Sequence, residues 1–206
     1  MQQQPGSILL PAFYQQPTLQ VARELLGMRL VRLEAGQRLS GRILETEAYL
    51  GEQDLGCHAR AGRTSRNAVM YGPAGRAYVY FTYGMHWCLN VVTEREGFPA
   101  AVLIRAIQPL EGQECISARR RGGDTLGPAK LTQALGINGS QNGIDLCTTA
   151  AGLWIEAEER SPQQVLQGPR VGLFTVPEPW KSMPWRFRAV PALNQLRGEK
   201  PKKMIK

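Results

Sequence analysis

Two carboxylates stand two residues apart in the stretch Gly41-Arg42-Ile43-Leu44-Glu45-Thr46-Glu47-Ala48-Tyr49. Ile43 and Leu44 favour an extended chain, and in such a chain Glu45, Glu47 and Tyr49 project from one face. The ordinary reading is that both glutamates are solvated and Tyr49 caps a core edge. Residues further along the chain argue against it: His58, an aromatic segment with Tyr80, Tyr83 and Asn90, and Arg105 inside the apolar run Ala100–Ile107. A charge in the centre of such a run lies at a sheet edge or is aimed at a polar site. Glu47, Tyr49, His58, Tyr80, Tyr83, Asn90 and Arg105 together supply a carboxylate, several flat rings, an amide and a guanidinium. The rings suit a planar ligand held by stacking. A carboxylate beside it can activate water and stabilise developing positive charge, help of this type being typically ~10²–10⁴-fold.

The charge pattern names the ligand class. No Asp or Glu occurs from Leu55 to Thr93, whereas Arg60, Arg63, Arg66 and Arg76 do, interleaved with Gly62, Thr64, Ser65 and Asn67. Glycine and hydroxyl residues among arginines suit close approach to phosphates, although an ordinary basic loop has the same composition. The formal charge is +8 and the pI about 9.6, which favours a polyanionic partner. With the rings, the planar ligand is most simply a nucleobase. A base inside a duplex must be rotated out of the stack, at a cost of a few kcal/mol. Tyr83, at the hairpin tip Tyr83-Gly84-Met85, suits a wedge that fills the vacated space. Tyr49, Tyr80 and His58 could form the slot, stacking being worth roughly 1–3 kcal/mol per base.

The elements that must position these groups are legible in outline. With 206 residues and 43% apolar content, one domain with a sizeable core is expected. Its limits are drawn at 17–196, between an amino-terminal extension (1–16) and a basic tail (197–206). Thr18 reads as the N-cap of a helix carrying Leu19, Ala22, Leu25 and Leu26, stopped by Gly27. Met28–Leu33 and Arg38–Tyr49 read as an antiparallel pair around Ala35-Gly36. Tyr78–Phe81, His86–Thr93 and Ala100–Ile107 follow as strands. Helices are expected within Leu110–Arg121 and over Ala129–Leu135, the turn near Lys130 offering a possible phosphate seat. Further strands are expected at Gly152–Ala157, Arg170–Thr175 and Trp185–Val190. No apolar run is long enough to span a bilayer and the amino terminus lacks a basic secretion start, so a cytoplasmic location is expected. Cys57, Cys88, Cys115 and Cys147 form no Cys-x-x-Cys pair and read as reduced thiols; the Cys57, His58, His86, Cys88 spacing is not that of a zinc module. No cofactor fingerprint is present, and neither a cofactor nor a metal is expected.

At these residues the chain resembles the alkyladenine (3-methyladenine) DNA glycosylase family. The resemblance rests on Gly41–Gly51, His58-Ala59-Arg60, Tyr78–Met85, Asn90, Leu103-Ile104-Arg105-Ala106, Pro109-Leu110-Glu111-Gly112, Gly127–Leu131 and Pro184–Phe187, and spans roughly residues 17–190. It implies a monofunctional repair enzyme that hydrolyses the N-glycosidic bond of damaged purines in double-stranded DNA, acting as a monomer. It implies a single α+β domain around a curved, mainly antiparallel sheet with peripheral helices and a protruding, DNA-intercalating β-hairpin. By the same resemblance, Glu47 is the general base, Arg105 helps to hold the water and Glu47, and the Val171 carbonyl is a third water contact. Tyr49 stacks on one face of the flipped base, with His58 and Tyr80 on the other. Asn90 disfavours guanine and Tyr83 is the wedge. Arg60, Arg63, Arg66 and Lys130 are expected on the DNA backbone. The loop between His58 and Tyr78 is one residue shorter than in animal members. The competing readings are a non-catalytic module stacking single-stranded bases, a metal-dependent nuclease using Glu45, Glu47 and Asp54, ranked last for want of a compact acidic cluster, and a glycosylase-lyase, for which nothing in the sequence places Lys130 near Glu47.

Overall fold

The extended stretches assemble into one curled antiparallel sheet. The structure, a computed structural model, describes residue 4 and residues 6–158 and 164–190. The basic tail and its lysines lie outside the described residues. Strands β1 (Arg29–Glu34), β2 (Gln37–Leu50), β3 (Ala77–Thr82), β4 (His86–Val92), β5 (Ala100–Glu111) and β6 (Leu153–Glu156) run in the order β3-β4-β5-β2-β1-β6. An antiparallel pair of β7 (Gln164–Gly168) and β8 (Arg186–Val190) joins through β8 to β2. The β1–β2 turn is Ala35-Gly36, both at positive φ, which matches the twist a two-residue hairpin needs.

Strand β2 organises the sheet. Its first half, to Arg42, pairs with β1, and Glu45–Glu47 pair with β8, while β5 runs along its other edge. The register against β5 slips between Ile43 and Glu45 and again between Glu45 and Thr46. Such an irregularity bends a strand and re-aims its side chains. Here it lies where the strand changes partner and where the two glutamates leave the core.

After a short first helix, α1 (Pro11–Tyr14), the core lies between the sheet and the helices α2 (Thr18–Glu24) and α4 (Pro128–Leu135). Val21, Ala22 and Leu25 from one, and Leu131, Ala134 and Leu135 from the other, are buried against Ile43, Val102, Ile104 and Ile107. Burial of each larger aliphatic chain contributes about 1.5–3 kcal/mol. β5 is apolar on both faces because helices cover one side and the site the other.

Several boundaries differ from expectation. Pro17, not Thr18, is the N-cap of α2; the Thr18 hydroxyl instead donates to Glu94 at 2.5 Å, which ties the helix to the end of β4. The helix expected within Leu110–Arg121 is α3, Gln113–Arg120; β5 continues to Glu111, and Gly112, at positive φ, separates the two. The strand expected at Arg170–Thr175 is an irregular loop: Gly172 has φ 85° and Arg170 turns inward. β7 lies just before it. Among the described residues, no helix is long and apolar enough to cross a membrane.

Candidate active site

The two glutamates of β2 are buried, not solvated: Glu45 is 3% exposed and Glu47 0%. Arg105, the charge inside β5, explains why. Its Nε donates to Glu45 Oε1 at 3.0 Å and its Nη1 to Glu47 Oε2 at 3.3 Å. Arg186 of β8 stands 3.6 Å from Glu45 Oε1. Glu47 receives two more donors, the Tyr49 hydroxyl on Oε2 at 2.9 Å and the Val171 backbone N–H on Oε1 at 2.7 Å. Burial nevertheless raises the Glu47 carboxyl above its ordinary pKa; Arg105, the Val171 amide and Tyr49 oppose that shift, and neighbouring Glu45 adds to it. A carboxylate poised upward toward neutral pH is what general-base chemistry asks for. Burial, followed by the nearby Glu47 charge, raises the Tyr49 phenol well above its ordinary range, so it stays a donor.

In front of this cluster lies a cavity of about 230 Å³. Tyr49, His58, Tyr80, Tyr83 and Asn90 line it, and so do Arg105 and Val171. Glu47 does not. It sits directly behind the wall formed by the three residues that bind it. The rings are arranged as a slot: His58 meets Tyr80 edge-on with centroids 4.4 Å apart, and Tyr78 tilts against Tyr80 at 5.4 Å. The His58 Nδ1 and Tyr78 hydroxyl are hydrogen-bonded at 2.9 Å. The His58 residue is exposed as a whole, yet the packing of its ring lowers its pKa to about 4, with Arg66 and Arg60 pushing the same way. The imidazole is therefore neutral near pH 7. Asn90 donates from Nδ2 to the Tyr78 carbonyl at 3.0 Å, directly across the β3–β4 ladder. At that hairpin's tip Tyr83 has φ 51° and is 82% exposed.

The sequence did not single out Tyr78, Cys88, Gly56 or Leu103 as part of the slot, and these also line the cavity. Asn67, read in the sequence only as one of the polar residues between the arginines, is buried, and its side chain donates to the carbonyls of His58 and Gly62 and so fixes the basic loop. A buried amide in a loop has no local sequence signal.

Arg60, Arg63 and Arg66 are exposed on that loop. Arg66 lies over the Tyr80 ring at 5.7 Å, and Arg63 over Tyr71 at the same distance. Arg60 donates to the Leu55 carbonyl. Lys130 is instead engaged by Asp124, with both carboxylate oxygens within 2.9 Å of Nζ. Asp54, the third acid of the nuclease reading, is held by Arg170 through two hydrogen bonds of 2.5 and 2.8 Å. All four cysteines are free thiols, Cys57 and Cys88 buried.

Comparison with known proteins agrees with this geometry. The model of the methylpurine-DNA glycosylase family matches residues 12–191. Among curated relatives, a protein of Methanocella arvoryzae named "Putative 3-methyladenine DNA glycosylase" is 47% identical over 180 residues, 85% of this chain and 88% of its own length. Proteins of the same name from Myxococcus xanthus and Anaeromyxobacter dehalogenans are 46% identical over 191 residues and 49% over 177. The alignments cover 92% and 85% of this chain and 94% and 80% of those proteins. A match to nearly the whole chain, together with a ring-lined cavity backed by a buried carboxylate, makes this chain a member of the methylpurine-DNA glycosylase family, a DNA glycosylase that hydrolyses N-glycosyl bonds.

Proposed function

We propose that this enzyme rotates alkylated or deaminated purines out of duplex DNA and hydrolyses their N-glycosidic bond with a water activated by Glu47, leaving an abasic site. The expected bases are 3-methyladenine, together with 7-methylguanine, hypoxanthine and ethenoadenine. The observation that carries this reading is the buried Glu47–Arg105 pair directly behind a slot walled by Tyr49, His58 and Tyr80. A flipped purine enters between Tyr49 and the His58–Tyr80 pair, and Tyr83 fills the gap it leaves in the stack. Positively charged alkylpurines are drawn to the aromatic faces. The water oxygen then attacks the sugar C1′, the C1′–N bond breaks with its electron pair going to the base, and the water proton passes to Glu47. Arg105 and Val171, at the interface of carboxylate and cavity, hold that water; the Val171 carbonyl is its third contact.

Because Glu47 lies behind the wall, water must pass Arg105 or the Val171 loop to reach it. Catalytic hydrogen bonds that form only once substrate is bound are common. Arg60, Arg63 and Arg66 on the exposed loop contact phosphates of the DNA backbone, and the enzyme acts as a monomer in the cytoplasm, at the nucleoid in a bacterial cell. Lys130 contributes there after exchanging Asp124 for phosphate. The test is base release from a duplex carrying one hypoxanthine or ethenoadenine, under single-turnover conditions with chelator present. Wild type should release base, and Glu47→Gln should be slower by about a hundredfold or more with binding retained. Tight binding to undamaged single strands with no release from these lesions or from 3-methyladenine DNA would overturn the reading in favour of a binding module.

A further inference from the structure

Arg170 and Asp54 form a fully buried ion pair, both side chains 0% exposed. The guanidinium is held between two rings, 4.7 Å from the Tyr49 centroid and 4.9 Å from that of Trp185. It also donates to the carbonyls of Ala48, at 3.1 Å, and Trp180, at 3.3 Å. Asp54 in turn accepts the backbone N–H groups of Leu50, at 3.2 Å, and Gly56, at 2.9 Å. Gly56 is part of the cavity wall, and a Cβ there would stand 2.7 Å from Arg170 Nη2. The residue after Arg170 is Val171, whose amide donates to Glu47. One ion pair thus touches the end of β2 that carries Tyr49, the loop that carries Gly56, the loop that carries Val171 and the segment from Trp180 to Trp185.

Stability alone is a poor account of it. Exchanging a buried ion pair for apolar residues of similar volume is often neutral or stabilising. What an apolar pair cannot supply is a planar fork that fixes several carbonyls, a carboxylate and two rings at once. We propose that the Arg170–Asp54 pair is a positioning device for the reaction: it holds the Val171 amide on Glu47 and backs the Tyr49 ring that forms one wall of the slot. The proposal rests on the Glu47-water reading above.

The consequence is specific. If the pair loosens, Glu47 loses the Val171 hydrogen bond. The other groups facing Glu47 are Arg105 on β5, Glu45 and Tyr49 on β2, Arg186 on β8, and Tyr80 and Cys88 on β3 and β4. Of these, Tyr49 touches Arg170. The Val171 amide lowers the Glu47 pKa, so its loss raises it. The acid limb of the pH–rate profile then moves up by about one pH unit, the worth of one hydrogen bond to a charged group.

Three variants test this: Asp54→Asn, Arg170→Lys, and the double variant Asp54→Leu with Arg170→Met. The double variant leaves no buried charge unpaired and keeps the test open if either single variant unfolds. Thermal unfolding establishes which are folded, and single-turnover base release is followed from pH 5 to 9. The expected result is an acid limb about one unit higher, with release about tenfold slower than wild type on the limb itself and the deficit vanishing on the plateau above it. Carbon-13 NMR titration of the Glu47 carboxyl gives the same shift without relying on turnover. If wild type releases no base, the Glu47-water reading fails, and the carboxyl titration still decides the positioning role. A folded double variant whose acid limb and Glu47 titration coincide with wild type would overturn the proposal and leave the pair purely structural.

Discussion

Replacing Arg105 with Met removes a cation that binds both buried glutamates and keeps most of the aliphatic stem. Arg105 has 13% of its side chain exposed, Glu45 4% and Glu47 0%, so solvent screens the cluster little. Breaking a buried pair by removing one partner typically costs about 3–5 kcal/mol. Protonation relieves part of that. An adjacent opposite charge lowers a carboxyl by about 1–3 pKa units, so its loss raises Glu47 by a similar amount, equivalent to ~1.4–4 kcal/mol. The sign is definite. Glu47 already titrates above its unfolded value, and between the two values the folded state holds more protons. Stability from this group therefore falls as pH rises through that window, and the variant extends the window upward. The variant should lose more of its melting temperature than wild type between pH 5 and pH 8. Its base release should show an acid limb displaced upward by at least about one unit, because a protonated Glu47 cannot accept a proton from water. Single-turnover release across pH 5–9 and calorimetry over the same range measure both. A release profile that superimposes on wild type after scaling would refute the idea that Arg105 sets the charge state of Glu47.

Three more outcomes are expected from the geometry. His58 should remain neutral down to about pH 4, so its ring carbon-bound proton shifts in NMR should not titrate between pH 5 and 7; a midpoint near 6.5 would contradict its packing against Tyr78 and Tyr80. Tyr83→Ala should leave the melting temperature unchanged, since the ring is exposed, but weaken capture of a flipped base by about tenfold, measured with a fluorescent base analogue beside the lesion. Gly152→Ala places a Cβ 2.7 Å from the Leu33 carbonyl at a residue with φ 68°, and should cost about 2 kcal/mol in denaturant unfolding without moving the catalytic pH profile.

The sheet and the front of the site were legible because their signals are local. Extended apolar stretches bounded by turn residues outlined β1 to β4, the i, i+2 spacing placed Glu45 and Glu47 on one side of β2, and a lone charge in an apolar run marked Arg105. The remainder depends on contacts between distant segments. Val171-Gly172-Leu173-Phe174-Thr175 is β-like in composition, yet Gly172 at positive φ and the inward Arg170 make it a loop. Val165 and Leu166 are flanked by glutamines, and only pairing with β8 makes them a strand. Asp54 and Arg170 are 116 residues apart, so neither hints at the other. Lys130 reads as an available cation until Asp124 is seen beside it. That Glu47 sits behind the cavity wall is a matter of depth, which residue spacing does not encode.

The way β2 divides its edge between β1 and β8 also sets the order in which the enzyme can become competent. β1, β2 and β5 bring Glu45, Glu47 and Arg105 together from the part of the chain that ends at Glu111. The Val171 amide reaches Glu47 across 124 residues, and β8 pairs with Glu45–Glu47 later still in sequence. Contacts of such long range form slowly, because closing the loop costs entropy before the pairing rewards it. During synthesis the acid–arginine cluster therefore waits, only partly covered, for the end of the domain to emerge. A nascent chain halted before Arg170 would hold the carboxylate and its cation but lack the amide that completes the site, so activity should arrive as a single late event and not grow with chain length.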